Sequence, residues 1–363
     1  MELPAVAIIG AGSGGVYLAA ELGTLGCPLR LTDRDDTRLA PIRDRGGLEV
    51  DPGGFAAIAR VTTDLLKAVD GAGVIAVCTG GTYQESVATA LAPLLANGQI
   101  ILLIQGNTGG ALAFRRTLQA AGCTASVDIA EMDNYPYSCW RPTPTAIRPI
   151  VRKKFLQIAT CPGNRIGPVF ARLHPLFPHA VAAPSTIWTG FTNANAMLHV
   201  ANCVANAGRI DTAEPYKFYA EGVTTSVARL YSAINAERMA VAAALGAQVP
   251  SLEDWFWRTY AVRGKTLPET CQLLTTNSDG PYQATGTPTS WDHKYITEDV
   301  PVGLMPMQAL GGAAGVPTPN IDAVIKLAQT LAGNDFADSQ RTLDRMGLAG
   351  LDTAGIIRRA TEG

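Results

Sequence analysis

One apolar segment of the chain carries side chains that are suited to acid–base chemistry. The sequence of residues 193–210 predicts a helix, along which Asn195, His199, Asn202 and Asn206 recur at intervals of four, three and four residues. This spacing places the four side chains on one face of the helix. Because burying polar groups without partners costs free energy, the stripe must contact a substrate, water or backbone groups of neighbouring loops. A histidine in such a stripe can exchange a proton near neutral pH.

An acidic pair much later in the chain offers a partner for this histidine. Glu298 and Asp299 precede Pro301 in the segment HKYITEDVPVGLMP, which places them at a turn or a helix start. A carboxylate beside His199 would fix the tautomer of its imidazole. The same two acids could instead cap the following helix and compensate its dipole, and sequence spacing does not decide between these interpretations.

The elements that must position this chemistry begin with a glycine-rich loop near the N-terminus. Residues 5–9 predict a buried strand and residues 16–26 predict a helix. The loop between them supplies the cofactor-binding candidates Gly10, Gly12, Ser13, Gly14 and Gly15. In a dinucleotide-binding loop, the glycines permit a tight turn, close approach of the pyrophosphate and close packing of the helix on the strand. The helix N-terminus then supplies free N–H groups to the phosphates.

The next strand indicates which dinucleotide is bound. Residues 28–32 predict a strand that ends at Asp33, whose carboxylate can bind both hydroxyls of the adenosine ribose and repel a 2′-phosphate. Arg34 follows directly, and arginine suits a 2′-phosphate. The predicted cofactor is therefore NAD(P)H, with NAD slightly favoured by Asp33. Loops after two later strands add three further cofactor-binding candidates, Thr79, Gly80 and Asn107.

The pattern of strands and helices changes part-way along the chain. Strand patterns at residues 73–78, 99–104 and 126–130 alternate with helical patterns at 83–95 and 109–121. We therefore expect an α/β Rossmann-type, doubly wound parallel sheet in residues 1–184. Residues 185–363 predict an all-α C-terminal domain that carries the substrate and catalytic residues, with helices at 190–207, 215–245, 251–260, 303–315 and 320–331.

Bulk composition excludes several function classes. The 363 residues carry a formal net charge of −2 with scattered basic side chains, so no nucleic-acid partner is expected. The seven cysteines show no metal-like spacing, and free thiols with no metal site are expected. We expect neither a signal peptide nor a membrane-spanning segment. A cytoplasmic enzyme follows as the expectation, and a homodimer is its expected assembly.

Five segments, one of them the segment that contains Glu298 and Asp299, resemble sequences of the octopine/nopaline (opine) dehydrogenase family. They are EMDNYPYSC (131–139), FYAEGVTTSVARLYSAINAERMAVAAALG (218–246), HKYITEDVPVGLMP (293–306), GVPTPNIDAVI (315–325) and RTLDRMGL (341–348). Together with the glycine loop, the segments span nearly the whole chain. Those in the second half are much more specific than the glycine loop.

The resemblance implies the reductive condensation of an amino acid, or another amine, with a 2-oxo acid such as pyruvate. The reaction passes through an imine, which takes a hydride from nicotinamide and becomes a secondary amine. The resemblance also implies that His199 and Asp299 form the catalytic acid/base pair. The substrate-binding candidates, some from the resemblance and some from their positions, are Asn195, Asn202, Lys294, Arg141 and Glu131.

Two positions depart from the pattern of this family. Lys294 stands where the family usually has arginine, which keeps the charge but loses the bidentate fork for a carboxylate. Trp140 follows the cysteine of the PYSC motif where the family tends to have arginine, and Arg141 comes next. These departures leave the shape of the substrate pocket, and the identities of the amine and the 2-oxo acid, open.

Two other functions remain as alternatives. A 2-oxo acid or 2-hydroxy acid dehydrogenase would use the same histidine–aspartate pair on a carbonyl without any amine. A non-catalytic sensor would bind NAD(P) without turnover, although it has no need of an acid–base pair. A separate open point is the aromatic run Trp255, Phe256, Trp257 and Tyr260, which could line an amine pocket or simply pack in the core.

Overall fold

The computed structural model describes residues 3–276, 282 and 287–363, except for the side chains of Cys139, Trp140 and Ile150. The chain forms two compact units. Unit 1 consists of Met1–Gly106 and Gly110–Thr186, and unit 2 consists of Asn107–Gly109 and Ile187–Gly363. The short segment Asn107–Gly109 therefore packs with the second unit although it lies within the sequence of the first.

Unit 1 is built on an eight-stranded sheet with the strand order β12-β11-β8-β7-β6-β1-β2-β5. These strands are β1 (Val6–Ile9), β2 (Leu29–Thr32), β5 (Arg60–Thr62), β6 (Val74–Val77), β7 (Ile100–Leu103), β8 (Asp128–Met132), β11 (Leu156–Cys161) and β12 (Ala180–Ala182). All neighbouring pairs are parallel except β11 and β8, which are antiparallel. The predicted Rossmann-type α/β fold is confirmed, with this one antiparallel pair added.

The helices of unit 1 connect the parallel strands. They are α1 (Ser13–Thr24), α2 (Asp36–Arg45), α3 (Leu65–Val69), α4 (Gln84–Leu91), α5 (Gly110–Ala120) and α6 (Ile166–Leu173), with short 3₁₀ turns at Gly81–Tyr83 and Gly163–Arg165. The central strands β1, β6 and β7 are buried along their whole length, as expected for a parallel sheet covered on both faces.

A second, four-stranded sheet was not predicted from the sequence. Its order is β4-β3-β10-β9, formed by β3 (Gly47–Val50), β4 (Gly54–Ala57), β9 (Tyr137–Thr143) and β10 (Ala146–Arg152). Strands β3 and β4 form an antiparallel hairpin and have mostly exposed or half-exposed positions after Leu48. Such short, half-exposed strands lack the continuous apolar run by which the central strands were found.

Unit 2 is helical. Its helices are α7 (Thr186–Thr192), α8 (Asn195–Ala205), α9 (Ala207–Asp211), α10 (Thr225–Ala244), α11 (Leu252–Tyr260), α12 (Leu267–Thr276), α13 (Lys294–Thr297), α14 (Met305–Ala313), α15 (Pro319–Ala332) and α16 (Thr353–Thr361). A π-helical turn, Val300–Leu304, directly precedes α14. The predicted all-α architecture of the second half is confirmed.

Two predicted helices of unit 2 are wrong in their bounds. The helix expected at 190–207 is divided into α7 and α8, because Asn193 Oδ1 accepts the backbone N–H of Asn195 at 2.9 Å. A local side-chain bond of this kind competes with the helical hydrogen-bond pattern. The helix expected from residue 215 begins only at Thr225, where Thr224 is the N-cap and accepts the N–H of Val227. The residues before it form turns that carry part of the site.

Two further results concern membrane-spanning helices and metal-binding groups. No helix among the described residues combines the length and the apolar character needed to cross a bilayer. Within the same residues, no three or more histidine, cysteine, aspartate or glutamate side chains come together in a group suited to a metal ion.

Candidate active site

The glycine loop after β1 has the geometry of a phosphate-binding turn. Gly10 has a φ of +106°, a conformation that favours glycine. A Cβ on Gly15 would lie 1.8 Å from the carbonyl oxygen of Gly10, so only glycine permits this contact between the start of α1 and the loop. By contrast, a Cβ on Gly12 would meet no described atom within 4 Å. Gly10 and Gly15 are therefore needed for the turn itself and for its contact with α1. Gly12 leaves its backbone open to a ligand.

The N-terminus of α1 faces this open space. The helix begins at Ser13, and its N-cap residue, Gly12, brings no side chain to cap it. On one side of the loop the ring of Tyr135 closes against Gly14, where an added Cβ would lie 2.4 Å from the ring. The loop and helix start thus form a cradle of backbone N–H groups, which fits the pyrophosphate of a dinucleotide.

Asp33 lies beside this cradle. Its Oδ2 accepts the N–H of Ala11 at 2.7 Å and its Oδ1 accepts the N–H of Asp35 at 3.0 Å. These two bonds fix the carboxylate at the end of β2, and each oxygen keeps a second lone pair for a ribose hydroxyl. The guanidinium of Arg34 lies over the ring of Tyr83, 5.4 Å from its centroid, in a pair with an exposed tyrosine. Thr79 and Gly80 follow β6, which pairs with β1 on the side opposite to β2.

The histidine of the opening stripe is paired with an acid in unit 2. Nδ1 of His199 on α8 lies 2.7 Å from Oδ2 of Asp299. Since a carboxylate oxygen accepts, Nδ1 carries the proton of this bond. The side chains are 12% and 8% exposed. Asp299 makes no capping bond to the turn that follows it, so the capping interpretation does not describe this acid.

Aromatic residues enclose the same imidazole. The ring of Tyr295 stacks on that of His199 with centroids 3.8 Å apart and an interplanar angle of 18°. Phe218 meets it edge-on at 6.1 Å. The second ring nitrogen, Nε2, lies 3.2 Å from the hydroxyl of Tyr219. Sequence reasoning missed Tyr219 and Tyr295, because neither has a helical spacing with His199 that would reveal the contact.

His293 lies close to this group and differs from His199 in its environment. Burial, followed by the charges of Lys294 and His199, lowers the pKa of His293 to about 4. Its Nδ1 accepts the N–H of Tyr295 at 3.3 Å, which caps the start of α13. A histidine with this pKa is neutral at pH 7, and here it acts as the N-cap of α13.

The asparagines of the stripe have different environments. Asn202 is fully buried; its Nδ2 donates to the carbonyl oxygen of Phe218 at 2.8 Å and its Oδ1 accepts from Asn206 at 2.7 Å. Asn206 also donates to the carbonyl oxygen of Gly222. These bonds tie the turns before α10 to α8, which corrects the expectation that Asn202 contacts substrate. Asn195 is half-buried at the start of α8, near His199 in the sequence of the helix.

Two other predicted residues, Glu131 and Asn107, also have contacts that differ from the expectation. Glu131 is fully buried at the end of β8, and its Oε2 accepts the N–H of Ala111 at 2.8 Å. It thus stabilises the start of α5, where a negative charge is favourable, and is not directed at a substrate. Asn107 is in the left-handed conformation with a φ of +57°. Its Oδ1 accepts from Nδ2 of Asn193 and its Nδ2 donates to Oε1 of Glu298, both at 3.4 Å and both within unit 2.

The two basic candidates lie in different places. Arg141 donates to the carbonyl oxygens of Ala11 at 3.0 Å and Pro144 at 2.7 Å, so it braces the glycine loop. Lys294 is exposed at the start of α13, next to Tyr295. The side chain of Trp140 lies outside the described part of the structure. Of the predicted substrate residues, Lys294 and Asn195 are the two that share unit 2 with His199 and are not fully buried.

The aromatic run of α11 is mainly part of the core. Trp255 and Phe256 are buried, whereas Trp257 is exposed beneath the guanidinium of Arg263. The hydroxyl of Tyr260 lies 2.6 Å from that of Tyr282, whose ring is 4.9 Å from Tyr219. The core interpretation therefore holds for the first two residues, and Tyr260 connects to the aromatic group near His199.

Comparison with known proteins places this architecture in a family. A family model described as NAD/NADP octopine/nopaline dehydrogenase, alpha-helical domain, matches residues 182–332, and one described as ketopantoate reductase PanE/ApbA matches residues 6–127. An opine dehydrogenase of Arthrobacter sp. (strain 1C) is 34% identical to this chain over 365 residues, covering 100% of both proteins. The chain belongs to the opine dehydrogenase family.

Further similarities agree with this family. Protein ocs of Agrobacterium tumefaciens (strain Ach5) is 25% identical to the chain, covering 97% of it and 98% of the relative. A structure of octopine dehydrogenase with NADH and L-arginine matches with a TM-score of 0.78 at 19% identity and covers 98% of both chains. At that identity the structural likeness shows the fold alone. As an opine dehydrogenase family member, the protein is an NAD(P)-dependent oxidoreductase.

Proposed function

We propose that this opine dehydrogenase family member reductively condenses the amino group of an amino acid, or a related amine, with a 2-oxo acid. His199 is its acid/base group and Asp299 is the partner that orients it. The observation that carries the roles of these two residues is the 2.7 Å contact between Nδ1 of His199 and Oδ2 of Asp299, and the use of an amine is supported by the family to which the chain belongs. A buried carboxylate at this position holds the imidazole in one tautomer and stabilises its protonated form.

In this mechanism, the amine first adds to the 2-oxo acid to give a carbinolamine, whose hydroxyl must leave as water. Protonated His199 supplies the proton for that departure, and its positive charge is balanced by Asp299. The low exposure of both side chains keeps bulk water from screening the pair. When bound, the nicotinamide supplies the hydride that reduces the imine. The protein contributes further by holding both substrates in reacting geometry.

The residues of unit 1 would hold the cofactor. The backbone around Gly12 and the N-terminus of α1 would bind the pyrophosphate, and Asp33 would bind the ribose hydroxyls. We propose NAD as the preferred form, because the fixed carboxylate of Asp33 repels a 2′-phosphate. Arg34, paired with Tyr83, is the group that would favour NADP instead.

Substrate carboxylates would be bound by unit 2. Lys294 is exposed one residue before the tyrosine that stacks on His199, and so it can supply a positive charge near the reacting atoms. Asn195 lies one helical turn before His199 on α8 and can donate from its amide. The ammonium group of a lysine makes one contact with a carboxylate, whereas an arginine can make two. We therefore expect Lys294 to bind a substrate carboxylate more weakly than an arginine would.

We also propose that residues 1–184 bind the cofactor and that residues 185–363 carry the substrate-binding and catalytic residues. A cytoplasmic location is supported by the thiols, because Cys27, Cys78, Cys123, Cys161, Cys203 and Cys271 are all free. A homodimer is the assembly that we propose for the enzyme. Size-exclusion chromatography with light scattering measures that assembly directly.

Oxidation of NADH and NADPH with a matrix of amines and 2-oxo acids tests the function. We expect oxidation that requires both substrates, with a secondary-amine product identified by mass. Oxidation with a 2-oxo acid alone would instead identify an amine-free dehydrogenase, and no oxidation with any pair would identify a sensor. In a second arm, His199→Ala should lower turnover by about 10³-fold while NADH binding is kept. The exposed His174→Ala serves as the matched control.

A further inference from the structure

Within the described residues, each ring nitrogen of His199 contacts one hydrogen-bonding group. Tyr295 covers one face by stacking, and Phe218 meets the ring edge-on. Nδ1 is held by Asp299. The remaining nitrogen, Nε2, lies 3.2 Å from the hydroxyl of Tyr219. Any proton that leaves the imidazole through Nε2 therefore meets this hydroxyl first.

The position of Tyr219 is fixed by the helix that carries His199. Asn202, three residues after His199 on α8, donates to the carbonyl oxygen of Phe218, which precedes Tyr219. Gly222 lies so close to this bond that an added Cβ would be 2.4 Å from the Phe218 carbonyl oxygen and 2.6 Å from Asn202 Oδ1. The contact between Tyr219 and His199 is thus set by a tight turn bound to α8.

The hydroxyl of Tyr219 has the protonation state that a proton donor needs. Tyr219 is 3% exposed, and burial holds its pKa well above the usual value, with the neighbouring tyrosines adding to the effect. The group is therefore a neutral phenol across the physiological range. A phenol hydroxyl donates one hydrogen bond and accepts others, so it can take a proton from one side while it gives one on the other.

We propose that Tyr219 is a catalytic residue that donates the proton to the departing oxygen of the substrate, while His199 replaces that proton through Nε2. This inference rests on the proposed function, because it concerns how the carbinolamine loses water. It changes the assignment of the group that donates to the substrate. The phenol of Tyr219 protonates the reacting oxygen, and His199, paired with Asp299, supplies the replacement proton to that phenol.

The step is balanced in atoms and charge. The phenol O–H proton moves to the carbinolamine hydroxyl, the carbon–oxygen bond breaks with its electron pair on oxygen, and water leaves. The nitrogen lone pair forms the C=N bond of the iminium ion. At the same time, the Nε2 proton of the imidazolium moves to the phenolate oxygen of Tyr219. The positive charge passes from His199 to the iminium, which is the acceptor of the hydride.

The variant Tyr219→Phe tests the relay, since it keeps the ring and removes the hydroxyl. We expect kcat to fall about 100-fold, with the KM values and the dissociation constant of NADH unchanged within about two-fold. Tyr216→Phe is the matched control: Tyr216 is buried in the same segment and its hydroxyl has no hydrogen-bond partner among the described residues. It should retain the wild-type kcat.

Two further measurements separate a relay from a structural role. In His199→Ala, the added change Tyr219→Phe should lower kcat little further, because the relay is already broken; effects that multiply would contradict it. In the cofactor-free protein, the ¹⁵N resonance of His199 Nε2 should move in Tyr219→Phe and stay in Tyr216→Phe. A fluorinated tyrosine at position 219, which keeps the hydroxyl, should restore turnover and keeps the test decisive if Tyr219→Phe is unstable.

The outcomes distinguish this inference from the proposed function. If the wild type couples amine to 2-oxo acid and His199→Ala abolishes it, but Tyr219→Phe has wild-type kcat, the relay is overturned and the proposed function stands. If the wild type does not couple the two substrates, the proposed function itself fails, whatever Tyr219→Phe does.

Discussion

The two units build their sites from different materials. In unit 1 the loop from Gly10 to Gly15 offers backbone N–H groups, and its glycines keep side chains out of the way. In unit 2 the site consists of side chains, with His199 held between Asp299 and Tyr219. Backbone groups bind a phosphate without changing their own charge, whereas side chains can exchange protons. We therefore expect unit 1 to be damaged by added atoms and unit 2 by removed charge.

The acid of unit 2 gives the strongest test of this comparison. Asp299→Asn keeps the shape and an acceptor oxygen but removes the charge that balances protonated His199. We expect kcat to fall by up to about 10³-fold, the loss expected for His199→Ala, because an amide does not stabilise the imidazolium and can favour the wrong tautomer. Steady-state kinetics measure kcat, and fluorescence quenching measures NADH binding, which should not change. A kcat within ten-fold of the wild type would remove Asp299 from the mechanism.

A buried acid of unit 1, Asp133, should affect the stability of the fold and not turnover. Asp133 is buried, and its Oδ1 accepts the N–H of Gln157 at 2.8 Å. Burial raises its pKa from 3.8 to about 7, against the opposing effects of that hydrogen bond and of Lys153. Because the folded pKa is raised, this group favours folding fully below about pH 4, and its contribution is lost as the pH rises to about 7.

The variant Asp133→Asn should remove this pH dependence. Chemical unfolding of the wild type between pH 4 and pH 8 should show a loss of stability of at most roughly 4 kcal/mol from this group, and the variant should show less of it. The exposed Asp70→Asn is the control and should keep the wild-type slope. Turnover of Asp133→Asn should stay near that of the wild type, in contrast to Asp299→Asn. Equal slopes for Asp133→Asn and the wild type would contradict the raised pKa.

The glycines of unit 1 test the effect of added atoms. In Gly15→Ala the new methyl group would lie 1.8 Å from the carbonyl oxygen of Gly10, so the helix start must shift. We expect a loss of about 3 kcal/mol in the free energy of unfolding. Gly12→Ala is the matched change at an open position with a φ of −69°, and its stability should stay within about 0.5 kcal/mol of the wild type.

Cofactor binding should distinguish the same two glycines in a second way. The methyl group of Gly12→Ala enters the space through which a pyrophosphate approaches, so NADH affinity should fall about ten-fold or more although the fold is kept. Thermal unfolding and NADH titration, done on both variants, measure the two effects separately. Loss of stability in Gly12→Ala would show that its open side serves packing after all.

The difference between the units also explains what the sequence revealed. The strands β1, β6 and β7 and the loop from Gly10 to Gly15 are contiguous patterns, and the fold of unit 1 could be predicted from them. The position of His199 on a polar stripe was equally visible, because helical spacing is a local property. Glu298 and Asp299, a hundred residues away, were both candidate partners, and the family resemblance rather than their spacing selected Asp299.

The features that escaped prediction depend on tertiary structure. Asn202 was placed on the same stripe as His199. Spacing alone does not show that its side-chain amide donates a hydrogen bond to the Phe218 carbonyl oxygen. Tyr219 reaches Nε2 through the irregular turns before α10, for which the sequence predicted a helix. The left-handed Asn107 packs with unit 2, although it follows a strand of unit 1. In each case a long-range contact decides the role, and only the folded chain brings the partners together.

The smallest effect we expect concerns the choice between the two nicotinamide cofactors. Asp33→Asn keeps an oxygen that can accept the N–H of Ala11, and it removes the charge that repels a 2′-phosphate. Arg34 and Arg38 are both nearby, with a nitrogen of Arg38 3.9 Å from Asp33 Oδ2, and either can then meet the phosphate. We expect the ratio of NADPH to NADH affinity to rise about ten-fold, which corresponds to about 1.4 kcal/mol.

Titration of both cofactors by fluorescence quenching, without any substrate, measures this ratio in Asp33→Asn. Asp44→Asn removes an exposed charge from α2 in the same unit and should leave the ratio unchanged. If both variants raise the ratio equally, general charge and not the position of Asp33 sets the preference. A rise confined to Asp33→Asn would mean that unit 1, otherwise built on backbone groups, uses one side-chain charge to select its ligand.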